Sequence, residues 1–199
     1  MTIRPYQPHD RESVVRILVS AFREDPSFAR TTALALSDDK KQVLEDIFRL
    51  QIDHEYAPHG VIDLVEEEGQ ILGVALWNRP DGEPGVIDQL RSTRQYTRIF
   101  GRNIVKAYLR ERESGAYHPK FPHWYLYTLA VSPAAQGKGV GSALLKAGLE
   151  RAGHEAVYLE ASTPRSAKLY ATLGFVPLGE LPRHGAGPSE LAMWRAPAL

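Results

Sequence analysis

The run Gln136-Gly137-Lys138-Gly139-Val140-Gly141-Ser142 is the part of the chain whose residue types and spacing most directly invite chemistry. It follows a hydrophobic stretch, His123 to Val131, and opens an amphipathic one. A strand, a glycine-rich turn and a helix start together make a seat for a phosphate. The first amides of the helix lack internal partners and carry the positive end of its dipole. Glycine at 137, 139 and 141 lets that backbone come close to a bulky anion. Two familiar phosphate loops are excluded by order. A P-loop needs Lys and Ser or Thr after its second glycine, whereas Lys138 lies between the first two. The dinucleotide fingerprint would need glycine at 142, where Ser142 stands.

What remains is the pattern Q/R-x-x-G-x-G/A, filled by Gln136 to Gly141. Leu129-Ala130-Val131-Ser132-Pro133 precedes it, and Leu169-Tyr170-Ala171-Thr172-Leu173-Gly174-Phe175 follows about thirty residues on. In this ordered series the chain resembles the GNAT superfamily of N-acetyltransferases. Pro122-His123-Trp124-Tyr125-Leu126 and Leu159-Glu160-Ala161-Ser162-Thr163-Pro164-Arg165 look closer still to puromycin N-acetyltransferase-like members. The general resemblance runs from Ile3 to about Trp194, and its specific motifs occupy roughly residues 122 to 179.

The resemblance implies acetyl-CoA as co-substrate. Its pyrophosphate would lie on the amides of Gly137, Gly139, Val140, Gly141 and Ser142, with side-chain help from Gln136 or Lys138. The main chain of Leu129, Ala130 and Val131 would pair with the pantetheine arm as an added strand does. Tyr170 resembles the proton donor to the departing thiolate, since a phenol near its usual pKa of ~10 stays protonated at neutral pH. Histone-type relatives carry a glutamate base on the strand matching 123–131, but here that strand has no carboxylate. Glu160 is the nearest acidic candidate, and His118 and His123 are alternatives. Many relatives carry Asn before the tyrosine helix; this chain has none there, and Ser166 occupies the slot that puromycin-type enzymes fill with Asn. A hydroxyl can do similar work.

The elements that must position these residues follow from pattern. Thr2 to Tyr6 reads as an edge strand, because Pro5 cannot donate to a ladder. Asp10 caps a helix running to Phe22, stopped by Asp25-Pro26. A second helix starts near Ser37 and carries Val43, Leu44, Ile47 and Phe48 on one face. Gly60–Val65 and Gln70–Asn78 form a hairpin turning at Glu67-Glu68-Gly69. An insert, about residues 80–122, is helical in its middle, with Ile99, Ile104, Val105, Tyr108 and Leu109 as apolar contacts. Arg94, Arg98, Arg102, Lys106 and Arg110, with Arg91 before them, form a basic stripe if that helix is continuous. Such a stripe is either a solvated face or a contact for an anionic acceptor or the adenosine 3′-phosphate. Strand 123–131, helix 137–152, strand 156–160, helix 165–173 and strands 175–179 and 189–195 complete the chain. The fold expected is α/β (α+β): a mixed, mostly antiparallel sheet of about seven strands, flanked by helices. The resemblance implies that it is splayed between the fourth and fifth strands. The whole of 1–199 is expected to be one domain.

Composition narrows the function classes. With 24 basic and 24 acidic residues the net charge is zero, against a nucleic-acid binder driven by overall charge. There is no cysteine, hence no disulfide, thiolate ligand or thiol nucleophile. No stretch approaches the roughly 20 apolar residues that span a bilayer, and no signal-peptide core opens the chain, so a cytoplasmic protein is expected. His54-Glu55 has no histidine at metalloprotease spacing, the next being His59, and no catalytic metal is expected. The reading is an acetyl-CoA-dependent N-acetyltransferase. It acts on a primary amine of a small molecule by direct attack in a ternary complex. The acceptor pocket is expected from residues 22–32, 80–122 and 181–188. Alternatives are a protein acetyltransferase, acting on lysine or an N-terminus, and a non-catalytic CoA-binding module. A homodimer through the terminal strands or the inserted helix is compatible with the pattern.

Overall fold

The computed structural model describes residues 1–82, 86–182 and 189–197. Strand β1 (Thr2–Pro5) forms one sheet edge, as its proline requires. A 3₁₀ turn (Pro8–Asp10) leads into α1 (Arg11–Phe22). Asp10 does not cap α1: its carboxylate takes two bonds from Arg4, at 2.7 and 2.8 Å, and one from the Gln7 amide. Pro26 does stop α1, but it also begins a short unexpected helix, α2 (Pro26–Thr32), at the first-turn position where its missing N–H costs nothing. Helix α3 (Lys40–Gln51) is capped by Asp39, which accepts from the Lys41 and Gln42 amides, and it buries Val43, Leu44, Ile47 and Phe48. It runs on through a π-helical turn (Ile52–Tyr56) into α4 (Ala57–His59).

Strands β2 (Val61–Glu67) and β3 (Gln70–Asn78) pair antiparallel around Glu68 and Gly69, both with positive φ. The insert is two helices rather than one. Helix α5 (Val86–Phe100) ends where Gly101 takes φ 51°, a 3₁₀ turn follows, and α6 (Ile104–Gly115) begins after it. The basic stripe is therefore broken between Arg98 and Arg102, and the Arg91 side chain lies outside the described residues. Ile99 and Ile104 pack with Phe100 against Val43 and Ile47 of α3. Val105, Tyr108 and Leu109 do not: all three are exposed, while Ile104 and Ala107 carry the packing of α6 on that cluster.

Then come β4 (Trp124–Val131), α7 (Val140–Ala152), β5 (Val157–Ala161), α8 (Pro164–Ala171), β6 (Val176–Glu180) and β7 (Leu191–Arg195). The sheet has seven strands in the order β1-β2-β3-β4-β5-β7-β6. Among the described strands only β4 and β5 are parallel. One face packs on α7 and α8, the other on α1 and α3. Among the described residues no helix is long and apolar enough to cross a membrane.

Two details shape the middle of the sheet. Strands β4 and β5 pair only at Trp124–Val157, Tyr125–Tyr158 and Leu126–Leu159. Beyond that, β4 stays with β3 to Val131 while β5 stays with β7 to Ala161, so the sheet forks. At the same point the β3–β4 register shifts, leaving Tyr127 as an extra residue, a bulge that bends the strand. The bulge also resets the alternation. Trp124 and Leu126, then Leu129 and Val131, face α7, while Tyr127 and Ala130 face α1 and α3.

Candidate functional site

The glycine-rich loop leaves β4 through Ser132, whose amide is held by Leu72 O at 2.8 Å, and a 3₁₀ turn at Pro133–Ala135. Gly137 and Gly139 then adopt φ 79° and 82°. A Cβ at either would meet nothing within 4 Å, so it is backbone conformation and not crowding that calls for glycine. Gly139 is the N-cap of α7, and the first internal bond of the helix is Ala143 N–H to Gly139 O, 2.9 Å. The amides of Val140, Gly141 and Ser142 precede that bond and are the donors a helix start offers an anion. The Val140 side chain is buried and anchors the turn, while Gln136 and Lys138 are exposed at its rim. Helix α7 is pressed close to the sheet at Gly148, where an added Cβ would lie 2.0 Å from the Trp77 ring.

The loop, the fork and α8 converge. A Cβ on Gly141 would contact Val131, Leu129 and Leu169 side chains at 3.5, 3.8 and 3.9 Å. Leu129, Ala130 and Val131 thus lie on the limb of β4 that β5 has left, beside the loop. A linear chain with amide groups, ending in a pyrophosphate, fits this opening: strand-edge main chain along the limb and free helix amides at its end. Helix α8 begins at Pro164 behind a capping box of Thr163 and Ser166. The Ser166 hydroxyl donates to Thr163 O at 2.8 Å and accepts from Thr163 N at 3.2 Å, so its first duty is to hold this cap. Tyr170, one turn further, is 7 % exposed within the core under α7. Burial pushes its hydroxyl up to about 12. Among the described residues that hydroxyl has no hydrogen-bond partner, so its proton is available to an incoming group.

The other face of the fork is lined by side chains. Glu160 on β5 accepts through Oε1 from the Tyr158 hydroxyl at 3.0 Å, and His118 Nε2 lies 3.3 Å from the same oxygen. Burial and the adjacent carboxylate raise Tyr158 far above the ordinary phenol range, so it is a standing donor to Glu160. The His118 ring packs against both Tyr125 (4.5 Å) and Tyr158 (4.8 Å). His123 is turned to Phe121 O, 2.6 Å away, and burial lowers its pKa. It contacts His118 only through the rings, at 6.3 Å. Arg110 on α6 donates to Arg30 O on α2, and Arg30 reaches to 3.9 Å from Glu190 near the start of β7.

Of the acceptor-side segments expected from sequence, α2 and the end of the insert are thus brought to this face. Residues 183–188 of the expected 181–188 turn, and 83–85 of the insert, lie outside the described residues. Sequence reasoning missed α3's end and the π-helical turn. Tyr56 stacks on Tyr127 (5.4 Å) and donates to Asn78, while Gln51 donates to the Tyr127 hydroxyl at 2.7 Å. The tyrosines at 125, 127 and 158 were a visible signal, but the residues that face them come from distant segments. Among the described residues no group of three or more His, Cys, Asp or Glu side chains is placed to hold a metal ion.

Comparison with known proteins agrees with this geometry. Residues 18–175 match the acetyltransferase (GNAT) family. A crystal structure described as histone acetyltransferase HPA2 and related acetyltransferase, from Corynebacterium glutamicum, is 44% identical. It superposes with a TM-score of 0.82 over 100% of this chain and 97% of that one. An N-acetyltransferase from Staphylococcus aureus Mu50 shares the fold at 18% identity, with a TM-score of 0.63 over 96% and 100% of the two chains. The mycothiol acetyltransferase of Acidothermus cellulolyticus is 28% identical over 160 residues, 76% of this chain; the chain spans about 41% of that relative's length. The chain belongs to the acetyltransferase (GNAT) family.

Proposed function

We propose that this acetyltransferase moves the acetyl group of acetyl-CoA to a primary amine of a small molecule, by direct attack in a ternary complex. When bound, the thioester supplies the activated acetyl group. The amides of Gly137, Gly139, Val140, Gly141 and Ser142, with Gln136 and Lys138 at the rim, hold its pyrophosphate. The main chain of Leu129 to Val131 aligns the arm, with Ser166 supporting it from the α8 cap. Glu160 takes the proton of the attacking ammonium and can pass it to His118 beside it. Tyr170 gives its proton to the departing sulfur. The observation that carries this reading is the pairing of opposite environments at one fork. A buried phenol with an uncommitted proton lies on one face, and a hydrogen-bonded carboxylate beside a histidine on the other. With no cysteine in the chain, a thiol-bound acyl-enzyme is excluded. The puromycin-type resemblance rests on residues 122–126 and 159–165, and on those grounds antibiotic-like amines belong among the acceptors to be tried.

A second reading has one observation behind it: the 44%-identical Corynebacterium glutamicum structure is described as a histone acetyltransferase and related acetyltransferase. The same assay separates the two. Purified protein is incubated with acetyl-CoA and either small amines or lysine-bearing histone-tail peptides, and free thiol is followed. The chain contributes no thiol of its own. Release with a small amine and none with peptides is expected. Release with peptides alone would replace the first reading by the second, and no release with either, despite coenzyme binding, would overturn both.

A further inference from the structure

Gln51 closes α3 and is 8 % exposed. Its Nε2 donates to the Tyr127 hydroxyl, but its Oε1 is buried and has no hydrogen-bond partner among the described residues. Exchanging the two ends of the amide does not remove the deficit, since the nitrogen would then be the orphan. Buried side-chain polar atoms are overwhelmingly paired, so an orphan calls for a partner from outside the chain.

Its position says what that partner is. Tyr127 is the bulged residue at the fork. Its ring lies on Tyr56 at 5.4 Å and 6.1 Å from Tyr125, and Tyr125 lies 5.6 Å from Tyr158, the donor to Glu160. A row of rings therefore leads from Gln51 to the carboxylate, with Tyr125 and Tyr127 half-buried in it. The π-helical turn after Gln51 is tied to the insert, His54 to Gln95 and Glu55 to Tyr96, which fixes the far end of the row. Local π-helical distortions of this kind recur at functional sites.

We infer that Gln51 is a specificity-determining residue for the acceptor. The amine to be acetylated lies at the Glu160 end, and a second polar group of the same molecule, a hydroxyl or a second amine, donates to Gln51 Oε1 at the other. This rests on the proposed small-amine reading.

The test uses n-alkylamines and ω-amino alcohols of matched length, from three to eight carbons, with thiol release as readout. The wild-type protein is expected to prefer the amino alcohol by about tenfold or more in kcat/KM at one length, as a site built to bond a substrate group does. Gln51→Met abolishes that preference, the amino alcohol falling to the level of the matched alkylamine, with coenzyme affinity unchanged. Gln51→Glu, which keeps an acceptor oxygen, retains it. Equal use of both series by the wild type overturns the inference, as does a Gln51→Met variant that slows both series alike, the mark of a trapped water or a purely structural amide. Absence of release with every amine overturns the underlying reading instead.

Discussion

The two faces of the forked sheet border the same opening and are built on opposite principles. In the proposed site the groups that meet a ligand on the α7 face are main-chain amides at the start of a helix, aimed by two glycines with positive φ. On the α3 face they are side chains: Gln51, Tyr127, Tyr125, His118, Tyr158 and Glu160, drawn from α3, β4, β5 and the segment after α6. A main-chain site can be specified by a few consecutive residues and tolerates any side chain that spares its backbone. A side-chain site is specified by tertiary packing and can be rewritten one residue at a time. The first suits a coenzyme shared across a family, the second an acceptor that differs between members.

Tyr170, the proposed acid, lies in the core on the α7 side, and its loss is expected to have the largest effect. Tyr170→Phe removes one buried hydroxyl that has no hydrogen-bond partner among the described residues, so folding is spared, while kcat falls about 1,000-fold, in the middle of the range for a lost general acid. Coenzyme affinity measured by calorimetry stays the same. A fall in affinity with kcat unchanged would make Tyr170 part of the coenzyme seat instead. The pH dependence follows from burial. In the proposed mechanism the protonated phenol is the working form, and burial pushes its pKa up to about 12. A raised acid pKa extends the protonated form upward, so kcat should show no decline from this group through pH 10.

Glu160→Gln probes the side-chain face alone. Its Oε1 is held by Tyr158 and lies beside His118. The amide can still accept that bond, so the ring packing survives while the proton acceptor is lost. A fall in kcat of about 100-fold is expected, the lower end for a general base because His118 remains alongside. Wild-type rates in Glu160→Gln combined with loss of activity in His118→Gln would reverse the two roles.

These contrasts also explain what could be read from the chain. The loop at 136–142 and the strand before it are legible because glycine at positive φ and alternating burial are local properties. The sheet follows with them, since its strands are short runs bounded by turn residues, even where, as in β2, β3 and β5, burial on both faces removes the alternation. The break at Gly101 was not legible: arginines spaced four apart argue for one continuous helix, and only contact with α3 decides that Phe100 and Ile104 belong to two. Gln51 was hidden for a related reason. It sits in a good helical pattern, and nothing nearby marks it as the partner of Tyr127, 76 positions away. Glu160 could be found as the acidic residue on its strand, but Tyr158 and His118, which give it its setting, are placed by the sheet register and by the end of the insert.

Smaller effects sharpen the main-chain side. Gly139→Ala meets no atom within 4 Å but must hold φ 82°. The left-handed conformation costs an alanine about 1–2 kcal/mol, so coenzyme binding should weaken about tenfold, with kcat at saturation preserved. Gly141→Ala is the control. Its φ is not in the left-handed region, and its new methyl would make ordinary contacts with Val131, Leu129 and Leu169. It should bind coenzyme within about threefold of wild type, given how little a tolerated methyl costs at a site with room. If the control loses more than Gly139→Ala, crowding rather than amide direction governs the loop, and the contrast between the faces fails.

The least effect is expected at Ser166, where both principles meet. Its hydroxyl bonds Thr163 N and O within the capping box, and its amide bonds the Thr163 hydroxyl at 3.1 Å. Ser166→Ala removes the hydroxyl half of that box and leaves Thr163 as cap, so the cost should be below about 1 kcal/mol, read as a small drop in melting temperature. Because α8 carries Tyr170, any loosening of its first turn should appear in kcat before it appears in coenzyme affinity. A direct hydroxyl contact with the pantetheine arm would invert that order. Coenzyme affinity would fall several-fold at unchanged melting temperature, and a side chain would then join the main-chain face.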